Sequence, residues 1–396
     1  MPTYAQKALR HAQNIAARAP GGRGSATASE THAADYIRHQ LAGLGITDVR
    51  THEFRGLRSA NLFIALAFGF SLLGHAAYGL LRPPLGAWSL LVVAAAFAFS
   101  LFLLVRKYTF RPYPFAAALP HGPSQNVLAR IPATGEPGEK IVLLAHLDTH
   151  RAVWWYAGDR LVKGYLLATP VAVGGVFLAP LFYLVAALAG IDLLAWLAFP
   201  FACLHFIAWF TGVTADLGPN SPGANDNASA IGTVLALAER LQAEPLPHTE
   251  VWLAFTGCEE TGAEGMCALL DEQGDLFEGA FFLDFEMVGI GSRLVYVQKE
   301  GIVFPRRIPP RAERRILDAG ASFDLRPVRM AGFGALTEIG AVLARGGQGV
   351  CLMAQRPGSP LPPEWHRLSD TADRLELAAL ERIHELAWGV LKTSSL

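Results

Sequence analysis

Acidic and imidazole side chains gather where apolar segments of the sequence end. The segment IVLLAHLDTH ends in His146 and Asp148, and the alternation of side chains along a strand would place both on one face. A metal-binding imidazole commonly has such a carboxylate beside it as its orienting partner. His-x-Asp occurs often by chance, so the pair gains meaning only together with other motifs.

Two further motifs follow along the chain. GANDNASAIG places Asp226 in a turn before a helix, where a carboxylate is either a helix N-cap or a ligand held on a rigid turn. VWLAF then leads into TGCEETGAEG, which presents Glu259 and Glu260. Adjacent carboxylates after an apolar strand are costly unless a cation neutralises them. A metal ligand beside a general base would explain both; a solvated acidic turn is the alternative.

The last two motifs complete a possible metal site. FFLDFEMVG carries Asp284 and Glu286 with strand spacing, and PPEWHRLSDTAD carries His366 with Asp370 close behind. A surface-loop histidine is the alternative for His366. Taken together, the motifs supply nitrogen and oxygen ligands for two divalent ions of the kind found in hydrolytic zinc sites. The cysteines show no paired spacing, which indicates neither a thiolate site nor a disulfide framework: Cys203, Cys258, Cys267 and Cys351.

The elements around these motifs predict an α/β fold. Strands are predicted over Asn126–Ile131, Lys140–Ala145, Glu250–Phe255 and Ala280–Phe285, and an amphipathic helix over Ala228–Gln242. We expect a mostly parallel, twisted sheet flanked by helices, with its active site outside the carboxyl ends of the strands.

The hydrophobic content is concentrated in two blocks. Hydrophobic residues make up 52% of the chain and charged residues only 17%, below the roughly one quarter usual for soluble domains. The blocks predict four transmembrane helices in two hairpins, Leu62–Leu81 with Leu85–Val105 and Leu166–Leu188 with Ile191–Val213. The predicted division is therefore a catalytic domain in three pieces (1–61, 106–165 and 214–396) interrupted by hairpins at 62–105 and 166–213.

Small and polar residues inside the predicted spans indicate how the helices pack. Gly69, Gly74, Gly79, Gly174 and Gly175 offer small faces for close approach. His75 and His205 also lie within spans. They predict an interhelical hydrogen bond, although an intramembrane histidine can also mark a functional path.

Basic residues predict which side of the membrane holds the globular domain. They flank the spans on the globular side, at Arg55, Arg58, Arg106, Lys107, Arg111, Arg151, Arg160 and Lys163, whereas Arg82 marks the opposite side. The positive-inside rule and the lack of an export signal place the domain in the cytoplasm, on an inner or plasma membrane. The net charge of −1 gives no indication of nucleic acid as a partner.

In these motifs and their order, the chain resembles the co-catalytic zinc aminopeptidases of metallopeptidase family twenty-eight, which also contains glutaminyl cyclases. The resemblance implies a first zinc on His146, oriented by Asp148, and a second zinc on Glu260 and His366. It implies Asp226 as the bridge between the metals and Glu259 as the general base. The family usually has aspartate before Met-hydrophobic-Gly; here Glu286 occupies that position, and Asp284 is the alternative ligand.

The resemblance implies an aminopeptidase with two zinc ions that acts on peptides with a free N-terminus. Thr337-Glu338 resembles the start of the family's pocket-lining stretch, so Glu338 would either bind the substrate amine or cap a helix. Because the second block lies between His146 and Asp226, we expect the metal centre to open near the membrane, with Trp154, Trp155 and Tyr156 at its mouth. Alternatives are a single-zinc glutaminyl cyclase, a non-catalytic receptor or scaffold, and a transporter, which the few intramembrane ionisable groups disfavour.

Overall fold

A mixed β-sheet organises the part of the chain that the structure, a computed structural model, describes: residues 1–301, 303–330 and 336–393. Within these residues the sheet has nine strands, in the order β1-β2-β4-β3-β5-β9-β6-β7, with β8 paired to β6. The strands are β1 (Val49–Leu57), β2 (His121–Ile131), β3 (Glu139–His146), β4 (Thr249–Thr256), β5 (Phe281–Glu286), β6 (Arg293–Glu300), β7 (Arg306–Arg307), β8 (Arg326–Arg329) and β9 (Gln348–Gln355).

The centre of the sheet is parallel and its margins are mainly antiparallel. Strands β4, β3, β5 and β9 run parallel to one another. In contrast, β1 pairs antiparallel with β2, β2 with β4, and β6 with β9. The four predicted strands are present, but the expectation of a mostly parallel sheet is only partly right. The central strands are buried apolar runs, as parallel strands usually are.

Eleven α-helices accompany the sheet within the described residues. They are α1 (Tyr4–Arg18), α2 (Ala28–Gly43), α3 (Asn61–Leu85), α4 (Ser89–Tyr108), α5 (Asp159–Ala189), α6 (Phe199–Thr214), α7 (Ser229–Ala243), α8 (Glu264–Gln273), α9 (Pro310–Ala319), α10 (Glu338–Ala344) and α11 (Leu377–Lys392). Helix α1 begins with a reciprocal capping box between Thr3 and Gln6. Its buried face, at Ala8, Ala12 and Ile15, packs the N-terminus onto the domain.

The two apolar blocks form α3 to α6. By length and composition, three helical segments of the described chain could cross a membrane: Asn61–Tyr108, Asp159–Ala189 and Asp192–Leu217. The first comprises α3 and α4, which fold back on each other at Gly86–Trp88. The predicted end of the first span at Leu81 is wrong, because α3 continues through Pro83 and Pro84 to Leu85. The prolines affect only its last turn.

The second block also differs from its predicted bounds. Helix α5 begins at Asp159, seven residues before the predicted Leu166, and ends at Ala189 with Gly190 in a left-handed conformation. The segment predicted as one helix from Ile191 consists of a 3-10 turn, Asp192–Ala198, followed by α6.

A polar chain connects three of the apolar helices. His205 Nε2 lies 2.9 Å from the carbonyl oxygen of Ala172, so this nitrogen donates and His205 Nδ1 accepts from His75 Nε2 at 3.1 Å. His75 Nδ1 then accepts from the Tyr183 hydroxyl at 2.7 Å. The prediction that His75 and His205 form interhelical hydrogen bonds is confirmed, and these bonds connect α3 to both α5 and α6.

Only some of the predicted glycine faces are in close contact. A β-carbon on Gly74 would lie 2.6 Å from Phe97, and one on Gly175 would lie 2.5 Å from Phe201. In contrast, a β-carbon on Gly79 or Gly174 would have nothing within 4 Å. Gly74 and Gly175 therefore mark the close helix contacts.

We expect Gly175→Ala to destabilise the helical block and Gly174→Ala to leave it unchanged or slightly more stable. Both gain the same helix propensity, but only the methyl group at position 175 overlaps Phe201, and overpacking of this kind costs about 1–3 kcal/mol. Thermal unfolding of detergent-purified protein measures the difference. Equal melting temperatures for the two variants would contradict the packing described here.

Candidate metal centre

The acidic and imidazole residues singled out in the sequence converge at the carboxyl ends of the central strands. His146 ends β3, Glu286 ends β5, and the Glu259-Glu260 pair follows β4. Asp226 comes from the turn before α7, and His366 from the loop after β9. All of them except His146 line a cavity of about 570 Å³, and His146 contacts Asp226 and Glu286 behind its wall. Crevices at this end of parallel strands are where open α/β sheets bind their ligands.

Two groups of three ligands share one carboxylate. His146 Nε2 lies 3.2 Å from Asp226 Oδ1 and 3.4 Å from Glu286 Oε2. His366 Nε2 lies 3.4 Å from Asp226 Oδ2 and 3.1 Å from Glu260 Oε2. Each oxygen of Asp226 therefore faces a different imidazole. This is the arrangement that a carboxylate bridging two metals requires.

Asp148 orients the residues around it and is fully buried. His146 Nδ1 hydrogen-bonds to the backbone carbonyl of Asp148 at 3.1 Å and lies 3.4 Å from its Oδ1. The carboxylate also accepts hydrogen bonds from the backbone N–H groups of Glu259 and Glu260, at 3.0 and 3.2 Å. Asp148 thus fixes both a histidine and the loop that carries the acidic pair. The Glu259 side chain lines the cavity.

The turn that carries Asp226 is held on several sides. Asp370 accepts from the backbone N–H groups of Asn225 and Asp226, at 2.7 and 3.0 Å. The Asn225 side chain donates to the carbonyl of Pro363 near His366, and the Asn227 side chain donates to the carbonyl of Phe285 beside Glu286. The two asparagines therefore tie Asp226 to the segments that supply its partner ligands.

Burial makes the negative charge of this centre costly. It raises the pKa of Glu260 and of Glu286 to about 8, and raises that of Glu259 well above its ordinary range. Oε1 of Glu260 and Oε1 of Glu286 have no hydrogen-bond partner within the described chain. Buried carboxylates without partners, beside imidazoles, fit a metal centre of nitrogen and oxygen ligands, as zinc accepts in hydrolytic enzymes.

The comparisons with known proteins point in the same direction. The sequence model described as Peptidase family M28 matches residues 208–391, which include Asp226, Glu259, Glu260, Glu286 and His366. No curated protein matches the chain in sequence. The family resemblance is confirmed. Residues 208–391 are similar to peptidase family M28.

Solved structures share the fold at low sequence identity. A leucine aminopeptidase precursor from Bacteroides thetaiotaomicron has 14% identity and a TM-score of 0.56, with 100% of this chain and 99% of that chain covered. A zinc aminopeptidase from Bacillus subtilis has 14% identity and a TM-score of 0.57, with 98% and 95% covered. A glutaminyl cyclase from Bacteroides thetaiotaomicron has the same identity and a TM-score of 0.57, with 100% and 99% covered.

The departure from the M28 pattern falls on Glu286 and Asp284. The structure brings Glu286 to His146, whereas Asp284 is buried two residues earlier and neither of its oxygens has a hydrogen-bond partner among the described residues. The position of Glu338 fits neither of its expected roles, binding a substrate amine in the cavity or capping a helix. Its carboxylate accepts from the Thr256 hydroxyl rather than lining the cavity, and Thr337, not Glu338, caps α10.

Sequence reasoning missed the residues that support the centre from the N-terminal segment. The buried Glu30 carboxylate accepts from the Ser124 hydroxyl at 2.7 Å and from the Cys258 N–H at 2.8 Å, directly before the acidic pair. The buried Arg23 guanidinium donates to the carbonyls of Leu147 and Gly223, at 2.7 and 2.9 Å. The position of Arg23 between glycines in GGRGS could have drawn attention to this arginine, but the motif does not indicate which groups the guanidinium binds.

We expect Glu30→Ala to lower kcat by about tenfold or more while leaving the affinity for substrate less affected. The variant removes the acceptor of the Cys258 N–H and thereby loosens the Glu259-Glu260 loop, and an unpaired buried group costs about 1–3 kcal/mol. Steady-state kinetics measures the effect. Asp35→Ala, on the exposed side of the same helix, is the matched control. Equal kcat values for the two variants would show that Glu30 does not position the loop.

Proposed function

We propose that this protein is a membrane-anchored, zinc-dependent aminopeptidase that removes N-terminal residues from peptides. The observation that carries the proposal is the pair of ligand groups that share Asp226: His146 and Glu286 on one side, Glu260 and His366 on the other. Each group offers one imidazole and two carboxylates, a set suited to one zinc ion with an open position. Two zinc ions per chain are therefore part of the proposal.

The residues of the chain divide the work of hydrolysis. Bound zinc ions supply positive charge that polarises the scissile carbonyl and makes water more acidic. Glu259 takes a proton from the attacking water while the oxygen adds to the carbonyl carbon, and delivers that proton to the amine nitrogen as the C–N bond breaks. Asp148 holds the Glu259 backbone in place. Its hydrogen bonds keep the base at the cavity floor.

A single-zinc glutaminyl cyclase is the second candidate, because glutaminyl cyclases share this fold to the same extent. The complete group of His146, Asp226 and Glu286 favours two metals over one. A non-catalytic receptor would have no need to keep Glu259 at the floor of an open cavity beside both ligand groups. The number of bound zinc ions and the reaction product separate these functions.

We expect detergent-purified protein to hold about two zinc ions per chain and to release N-terminal residues from aminoacyl fluorophores. A chelator should abolish release and added zinc should restore it. Glu259→Gln should keep both zinc ions but lower kcat by about 10²–10⁴-fold, the usual range for a general base.

Elemental analysis, fluorescence and mass spectrometry of peptides with N-terminal glutamine measure these outcomes together. One zinc per chain with formation of a cyclised product would establish the cyclase instead. Full activity of Glu259→Gln would rule out Glu259 as the base. Absence of bound metal after refilling would contradict an enzymatic function of this centre.

Exposed apolar residues support the insertion of α3 to α6 in a bilayer. Leu80, Leu91, Leu167, Leu188 and Phe206 each expose half or more of their surface, and apolar patches of this extent are unusual on a soluble monomer. Apolar side chains between the same helices form a core of their own, separate from the core around the sheet. A bilayer would cover the exposed face of this second core.

Strand pairing limits the number of crossings. Strands β1 and β2 are hydrogen-bonded neighbours, although α3 and α4 lie between them in the chain. Strands β3 and β4 are likewise neighbours, although α5 and α6 separate them. Each insertion must therefore leave the domain and return on the same side of a membrane. This supports two hairpins with four crossings, and the basic flanks favour the cytoplasmic side for the domain.

The cavity links the metal centre to the apolar helices. Its wall includes Phe63 and Ile64 from α3, Tyr108 from α4, and Leu166 and Leu167 from α5. Trp155 and Tyr156 also line it, whereas Trp154 is exposed. A peptide bound here would meet apolar surface at membrane depth. We therefore propose that substrates are amphipathic peptides, such as fragments released by membrane proteolysis.

We expect Leu166→Ser to raise KM for peptides with apolar residues behind the N-terminus and to change little for short polar ones. Leu166 lines the cavity, and full burial of a leucine side chain contributes about 1.5–3 kcal/mol. Leu184→Ser, on the exposed part of the same helix, is the control. Kinetics in proteoliposomes with peptides that share one N-terminal residue test this. Equal effects of the two variants on both peptide classes would contradict a role of the apolar wall.

A further inference from the structure

The His366 ring is held by packing rather than by a hydrogen bond. Its Nε2 lies 3.1 Å from Glu260 and 3.4 Å from Asp226, whereas its Nδ1 has no hydrogen-bond partner among the residues that the structure describes. A metal-binding imidazole is usually oriented by a hydrogen bond from its second nitrogen to a carboxylate or a carbonyl oxygen. Since no described protein group binds Nδ1 of His366, its neighbours must orient the ring by contact.

Two aromatic side chains contact the His366 ring closely. The imidazole of His150 is stacked on it, with centroids 4.0 Å apart and 9° between the planes. The buried Tyr156 ring meets it in a T-shaped arrangement, with centroids 4.5 Å apart and 80° between the planes. A T-shaped aromatic pair contributes about 0.5–1.5 kcal/mol beyond the burial of its surface. Together these contacts limit the directions in which Nε2 of His366 can point.

The backbone of His366 also needs support from its surroundings. Its φ angle is 54°, in the left-handed region, where a residue other than glycine costs about 1–3 kcal/mol and persists only if its neighbours hold it. Arg367, the next residue, supplies such support. Its Nε donates to the carbonyl of Tyr156 at 2.9 Å, and its Nη2 donates to the carboxylate of Asp159 at 2.5 Å.

These contacts lead from the metal centre to the beginning of an apolar helix. Tyr156 ends a short 3-10 turn, and Asp159 is the first residue of α5. Trp155, in the same turn, stacks on Tyr165 of α5, with centroids 5.6 Å apart and 14° between the planes. The start of α5 therefore holds the ring of His366 through Tyr156 and the backbone that follows it through Arg367.

We propose that Tyr156 and Arg367 are positioning residues that couple the seating of α5 to zinc binding by Glu260 and His366. This rests on the proposed function, because it concerns the second of its two ligand groups. If the start of α5 shifts, the Tyr156 ring and both acceptors of Arg367 shift with it, and Nε2 of His366 turns away from Glu260. A coupling of this kind is reciprocal, so zinc must in turn stabilise the start of α5.

The test isolates the second ligand group in the full-length protein, purified in detergent. The parent variant is His146→Gln, which removes the imidazole of the first group. In this background, Tyr156→Leu removes the aromatic ring, Tyr156→Phe keeps it, and Arg367→Gln removes the guanidinium. Arg240→Gln is the matched control, since Arg240 forms an ion pair of similar exposure, with Glu385 at 2.8 Å, between α7 and α11.

Competition with a chromophoric chelator measures zinc affinity, and circular dichroism checks that each variant is folded. We expect Tyr156→Leu and Arg367→Gln each to weaken zinc binding by about 10–100-fold, the usual loss when a residue that supports a metal ligand is removed. Tyr156→Phe should restore the affinity lost in Tyr156→Leu, and Arg240→Gln should bind zinc as the parent does.

Hydrogen exchange followed by mass spectrometry supplies the reciprocal measurement, and in the parent it needs no change at Tyr156 or Arg367. Zinc should slow exchange of the backbone amides in residues 154–165, and it should slow them less in Arg367→Gln. Exchange that zinc leaves unchanged in the parent would overturn the proposal. Zinc affinities of Tyr156→Leu and Arg367→Gln equal to that of Arg240→Gln would also overturn it.

Either of these results would leave the proposed two-zinc function intact. A further variant separates the failure of the function itself, because adding His366→Gln to the parent removes the imidazole of the second group. If that variant binds zinc as tightly as the parent, the second ligand group does not bind zinc as described. Both the proposed function and the coupling to α5 would then be wrong.

Discussion

Asp226 is a buried carboxylate with an imidazole beside each of its oxygens. The strands, turns and loops around it are arranged so that the carboxylate stays between these two histidines. The carboxyl ends of β3 and β5 deliver His146 and Glu286 to one oxygen, while loops after β4 and β9 deliver Glu260 and His366 to the other. Asn225 and Asn227 connect the turn to both sides through their side-chain amides. The sheet, the turn and the loops thus all contact Asp226 or the residues that hold it.

The charge at this point explains the supporting structure around it. Several carboxylates are buried together, and burial raises the pKa values of Glu260, Glu286 and Glu338 to about 8. A cation at the centre would offset the electrostatic repulsion between these buried carboxylates. Arg23 also places a buried positive charge nearby, but its hydrogen bonds go to backbone carbonyls. It therefore braces the loops and leaves the carboxylates free for metal.

Local signals in the sequence predicted the central strands and the ligands at their ends. A strand followed by His-x-Asp or Glu-Glu can be recognised because all of its residues are neighbours in the sequence. The same reasoning missed Glu30 and Arg23, because their partners Cys258 and Leu147 lie 228 and 124 residues away in the sequence and no local pattern encodes such contacts. It also overestimated the parallel character of the sheet. The direction of β1 and β2 depends on how the intervening helices return, which periodicity does not specify.

The pairing of strands across the helical insertions also dictates an order of assembly. Strand β1 is made before α3 and α4, β2 and β3 before α5 and α6, and β4 to β9 only afterwards. The strands of the sheet are therefore synthesised in three groups. The first two groups, β1 and then β2 with β3, lack β4, the strand that lies between β2 and β3 in the sheet. Those early strands have unpaired edges, which are prone to aggregation. During synthesis the sheet therefore stays incomplete until the chain beyond the last apolar helix, α6, has been made.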